Sequence, residues 1–176
     1  VREKSWVPFD YKGKLFLAYS LTPHVIFQPN LATGTCTTIH RTMSAINWDF
    51  GMLRGGTPGY LLGNEYLSFF HSSQDMITVH SQEKKALHYF MGAYTYSSTP
   101  PFTITRVSKE PIIGKGFYSG MSYKHYWKPV KVVFPCGYVF DEKYIWVLYG
   151  RDDYENWVVK LDRARLLKSL TPVSTE

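Results

Sequence analysis

The sequence predicts an all-β fold built from repeated antiparallel hairpins, and three observations carry that prediction. Aromatic residues make up 17% of the 176 residues, with 14 Tyr, 11 Phe and 5 Trp, and aromatic and β-branched side chains fit a pleated surface. A strand–turn–strand segment with a proline near its start recurs three times. Only the stretch from Arg163 to Leu170 has helical character, and it lies near the end of the chain.

The first hairpin runs from Val7-Pro8-Phe9 through a Lys12-Gly13 turn to Leu15-Phe16-Leu17-Ala18-Tyr19-Ser20. The second starts at Thr57-Pro58-Gly59-Tyr60, turns at Gly63-Asn64 and continues to Tyr66-Leu67-Ser68-Phe69-Phe70-His71. The third runs from Phe134-Pro135-Cys136-Gly137 through Asp141-Glu142-Lys143, where Asp141 forms the turn, to Tyr144 and Gly150. A third extended segment follows each hairpin, at His24 to Gln28, His88 to Tyr96 and Asn156 to Asp162, and further strands are expected at Thr35 to Arg41 and Phe102 to Val107. Three or four antiparallel strands per unit, repeated around a centre, describe propeller blades. Ser72 to Lys85 and Gly114 to Pro129 are expected to be irregular. No change of composition divides the chain, so residues 1–176 read as one partial β-propeller domain.

A formal charge of +6 and a pI near 9.2 favour anionic ligands. The Lys and Arg residues are scattered, with Lys84-Lys85 the one adjacent Lys pair, so nucleic acid is not the expected partner. No apolar run reaches the ~20 residues of a membrane-spanning helix, and no membrane span is expected. The six histidines form no paired metal motif, and the nucleophile-elbow, phosphate-loop and dinucleotide signatures are missing. Cys36 and Cys136 are too few and too far apart for a disulfide framework and are expected to be buried free thiols.

Arg54-Gly55-Gly56-Thr57-Pro58 combines a planar cation with glycines that let backbone approach a ligand, and a strained turn entering a strand is its bland reading. His71 closes the next strand, where neighbouring hydroxyls could orient its ring. If both reach one edge of the sheet, they form a basic pocket. Asp152 follows Tyr149-Gly150-Arg151 at a strand end that the repeat aligns with His71 and Ser20.

Taken together, Lys4-Ser5-Trp6, Arg54 to Pro58, Phe70-His71-Ser72, Tyr89-Phe90-Met91-Gly92-Ala93, Pro111-Ile112-Ile113, Val133 to Gly137 and Tyr149 to Asp152 resemble the C-terminal half of glycoside hydrolase family 130. The resemblance implies a five-bladed β-propeller, of which this chain supplies roughly three blades, active on mannosides by phosphorolysis or by mannosyl transfer. It places Lys4, Arg54, His71 and Tyr89 at a phosphate subsite and Tyr149 and Asp152 near sugar hydroxyls. Ser5 stands where the family usually has Asn, and Arg54 where it has a lysine-like cation. The implied co-substrate is inorganic phosphate or a sugar phosphate, with no cofactor, and the implied partner is a mannose-containing oligosaccharide or sugar phosphate. The family's acid aspartate lies upstream of the motifs matched here, so upstream residues or another chain are expected to complete the ring. A non-catalytic carbohydrate-binding or scaffold propeller is the alternative reading. A polyanion-binding loop from Lys115 to Lys131 is a third, and no compartment is indicated.

Overall fold

The computed structural model describes residues 4–81, 83–120 and 130–174. In the first sheet β1 (Val7–Tyr11), β2 (Lys14–Leu21), β3 (His24–Asn30) and β4 (Thr35–Thr42) pair in sequence order, all antiparallel. The turn between β1 and β2 needs two left-handed residues, and Lys12 and Gly13 supply them at φ of 54° and 73°.

The second sheet begins with two short pieces, β5 (Arg54–Gly55) and β6 (Tyr60–Leu62), both paired with the long β7 (Glu65–Met76). Next come β8 (Ala86–Ser97) and β9 (Ile104–Ser108), while β10 (Val130–Lys131) lies parallel to the start of β8. The third sheet is the meander β11 (Val133–Phe140), β12 (Tyr144–Arg151) and β13 (Glu155–Asp162). The Asp141 carboxylate accepts hydrogen bonds from the Lys143 and Tyr144 amides at 2.8 and 2.7 Å and so shapes the turn expected of it. Helix α1 (Arg163–Ser169) is capped by the Asp162 carboxylate, and β14 (Leu170–Pro172) returns the chain to β9 in the second sheet.

The first and third sheets are thus blade-like antiparallel meanders, and the second is antiparallel apart from the β10–β8 pair. The second lies between the other two, which is why β7 and β8 are buried without a break from Tyr66 to Ser72 and from Phe90 to Tyr96 rather than on alternate residues. One face carries Phe70, Tyr94 and Tyr96 into a core shared with Phe9, Phe16 and Phe102. The other carries Leu67, Phe69 and Met91 into a core shared with Tyr138, Val147 and Tyr149. The Phe9 ring sits 5.1–5.7 Å from four other aromatic rings, contacts each adding about 0.5–1.5 kcal/mol to the area buried.

Two expectations are corrected. The stretch from Ser72 is not irregular at its start, because β7 continues to Met76 and pairs with β8 as far as Ala86. Both cysteines are free but exposed rather than buried. Of the irregular stretch expected from Gly114 to Pro129, residues 121–129 lie outside the described residues, as does much of the basic loop between Lys115 and Lys131.

Candidate functional site

The two glycines after Arg54 explain why a site can form there. A side chain on Gly55 would collide with the Ser5 carbonyl and Val7 of the first sheet. One on Gly56 would press on the Phe69 carbonyl and on Pro135 of the third. The chain therefore passes between the two neighbouring sheets with backbone against backbone, and this close passage brings Arg54 next to the Lys4-Ser5 segment.

Arg54 and His71 are direct register partners across β5 and β7, so their side chains share one face. The histidine ring lies 4.4 Å from the Phe134 ring and 5.9 Å from Tyr89, nearly parallel to the latter at 11°. His71 is 2% exposed, and its Nδ1 has no hydrogen-bond partner. Burial lowers its pKa to about 4, with the positive charges of Arg54 and Lys4 adding to the shift and the Gly55 carbonyl opposing it. The ring is therefore neutral near pH 7.

Lys4, Ser5, Tyr19, Ser20, Met52, Leu53 and Arg54 line a cleft of about 390 Å³. Among the described residues neither Lys4 nor Arg54 forms an ion pair. His71 lies beside this cleft and does not line it. Ser72 does not orient the imidazole as the sequence suggested. Its hydroxyl accepts from the Trp48 indole at 2.9 Å and donates to the Phe50 carbonyl at 2.7 Å, which pins the preceding loop to β7. Tyr19 and Met52 were not foreseen, since they come from β2 and a loop and carry no local signature.

The end of β12 reaches the same end of the molecule, because Phe134, which touches His71, pairs with Gly150. Tyr149 does not line the surface there: it is 2% exposed, packed 4.7 Å from Phe117, and burial raises its phenol pKa. Asp152 adopts a left-handed backbone at φ 54°. Its amide donates to the Val132 carbonyl at 3.1 Å and its Oδ1 accepts from the Val132 amide at 3.0 Å. Oδ2 is buried, faces Gly120 and has no partner, and desolvation raises the carboxyl pKa. Among the described residues no cluster of three or more His, Cys, Asp or Glu side chains could hold a metal ion.

No protein-family model matches the chain, and no curated protein sequence matches it. Solved structures do. A beta-1,2-mannobiose phosphorylase from Listeria innocua, of glycoside hydrolase family 130, superposes with a TM-score of 0.61 at 17% identity, covering 94% of this chain and 46% of that one. A glycosyl hydrolase from Bacteroides ovatus gives 0.55 at 14% identity, covering 97% of this chain and 50% of the other. The chain spans about half the length of these structures. At such identities the likeness is one of fold, and that fold is the propeller type of glycoside hydrolase- and phosphorylase-like proteins.

Proposed function

We propose that this chain supplies the anion subsite and part of the sugar cleft of a mannoside-active enzyme that works by phosphorolysis or mannosyl transfer. The observation that carries the reading is the juxtaposition of Arg54 with a buried, neutral His71 and with Lys4, without a carboxylate partner for either cation among the described residues. Two cations left unpaired beside a cleft lower the free energy of a bound oxyanion. The guanidinium plane can take a phosphate in bidentate fashion, whereas Lys4 acts as a point charge from the opposite segment. The neutral imidazole of His71 backs Arg54 from across the strand pair without adding a charge of its own.

Held in this way, a phosphate oxygen is oriented for attack at an anomeric carbon, and the gain is one of positioning. Tyr89 flanks the imidazole and limits how far it can turn. Asp152, with its Oδ2 buried and unpartnered, is the candidate at that strand end for a sugar hydroxyl, and Tyr149 supports the strand end from the core. The protonation of a leaving group falls to an acid outside these residues.

The test is a calorimetric titration of the longest natural form of the protein with inorganic phosphate, mannose 1-phosphate and GDP-mannose, each with and without a mannobiose. Phosphate binding strengthened by the disaccharide supports phosphorolysis, and preference for an activated mannose supports transfer. If none of the three binds, the enzyme reading fails in favour of a scaffold propeller.

A further inference from the structure

The cleft holds two kinds of side chain, and an inorganic oxyanion uses only one of them. The first-sheet side brings Lys4 and Tyr19, and the segment entering the second sheet brings Arg54 and Met52, so each cation comes with a largely apolar companion. At about 390 Å³ the space falls within the range of pockets that take organic ligands, about 300–1,000 Å³. Ser20 adds little polarity, because its hydroxyl already donates to the Pro23 carbonyl at 2.6 Å.

Both apolar walls are held in place. Tyr19 stacks on Phe27 with ring centroids 4.6 Å apart, and Trp6 meets the two rings edge-on at 5.8 and 6.1 Å. Met52 is 70% exposed, yet it stands between two fixed points. Before it, the Ser72 hydroxyl holds the Phe50 carbonyl and the Trp48 ring lies 4.8 Å from Phe70. Gly51, at φ 93°, passes β7 so closely that a Cβ there would meet the Ser73 carbonyl oxygen at 2.3 Å. After it, Leu53 is buried in the core and Arg54 pairs with His71. The backbone on both sides thus fixes where Met52 projects, and it projects at the cleft.

Apolar area beside a ligand contributes to binding where the ligand has carbon to cover it. Against phosphate oxygens the same area only displaces water without replacing its hydrogen bonds. We propose that Met52 is a specificity-determining residue of the anion subsite and that, together with Tyr19, it makes the subsite select a phosphate ester over inorganic phosphate. The selection rests on the anion reading of Lys4 and Arg54 and narrows it. The charged group lies between the two cations, and the carbon skeleton of the ester lies against Met52 and Tyr19.

The longest natural form of the protein is titrated with inorganic phosphate, methyl phosphate and mannose 1-phosphate, which share the charged group and differ in the carbon attached to it. Affinity is expected to rise along this series by about tenfold overall, the effect of covering part of a Met side chain. Met52 is exposed, so its substitution leaves the fold intact. In Met52→Ala the ratio of mannose 1-phosphate affinity to inorganic phosphate affinity is expected to fall several-fold. In Met52→Leu, which keeps the apolar bulk, the ratio is expected to stay near that of the wild type. Equal binding of all three by the wild type overturns the proposal and leaves the anion reading standing, and so does a ratio that Met52→Ala leaves unchanged. If none of the three binds, the anion reading fails and the selection fails with it.

Discussion

Arg54 and Arg151 stand at the same end of the molecule, and their surroundings differ in kind. Arg151 is satisfied on every side. Its guanidinium pairs with Glu155, donates to the Gly116 carbonyl at 2.8 Å and lies 4.3 Å from the Trp157 ring. Arg54 has a neutral imidazole across the strand pair and, among the described residues, no carboxylate. A cation whose donors are used up by its own fold holds that fold together. A cation left with free donors beside a cleft is available to a ligand.

Substitution separates the two. Arg151→Ala leaves Glu155 without its cation and removes the tie to Gly116, and breaking a largely buried pair from one side costs about 3–5 kcal/mol. A drop of that size in denaturant-melt stability is expected, and an unchanged midpoint would mean that the Glu155 pair is decorative. Arg54→Ala should do the reverse, leaving the midpoint nearly unchanged while anion affinity falls about 10- to 100-fold, the worth of one hydrogen bond to a charged group. Should Arg54→Ala unfold the protein as readily as Arg151→Ala, the contrast is lost.

His71 and His24 extend the comparison to pH. Burial holds both at about 4, but His24 is anchored by a 2.8 Å hydrogen bond between Nδ1 and the Phe102 carbonyl. Both folded pKa values lie below the ordinary value near 6.5, so the unfolded chain binds more protons between roughly pH 4 and 6.5. Stability is therefore full above that window and lost as pH falls through it, by at most about 3 kcal/mol for each ring. A bound oxyanion should raise the pKa of His71 and not that of His24. Ring resonances titrated with and without phosphate give the answer, and equal shifts in both would place the anion elsewhere.

The hairpins were legible because period-two alternation and turn residues are local signals, and the Arg54–His71 pairing was legible as far as a strand start and a strand end can be. The extension of β7 to Met76 was hidden, since Ser72-Ser73-Gln74-Asp75 reads as a loop until its partner strand is known. The same alternation that identified β12 also carried the answer for Tyr149, which shares parity with Ile145 and Val147 and so turns inward. The cleft walls Tyr19 and Met52 could not be read, because they meet Lys4 and Arg54 only after two sheets have packed. The exposure of the cysteines could not be read either, because it depends on how the strands around each thiol pack and not on the residues next to it in sequence.

Asp152 falls between the two arginines, with one carboxylate oxygen used by the fold and the other unused. Asp152→Asn separates these halves. Asn tolerates the left-handed backbone and keeps an acceptor for the Val132 amide, so stability should change by less than about 1 kcal/mol. The substitution removes the desolvated charge but leaves a polar group where Oδ2 stands. Folded Asp152 holds its proton to a higher pH than the unfolded carboxyl, so in the wild type it costs stability as pH rises through the raised pKa. That loss should disappear in the variant, a small gain visible in melts at neutral pH and not in acid. If Oδ2 receives a sugar hydroxyl, mannobiose affinity should fall a few-fold in the same variant while phosphate affinity at Arg54 is unchanged. A variant that keeps its sugar affinity and gains the stability assigns Asp152 to the fold, on the side of Arg151.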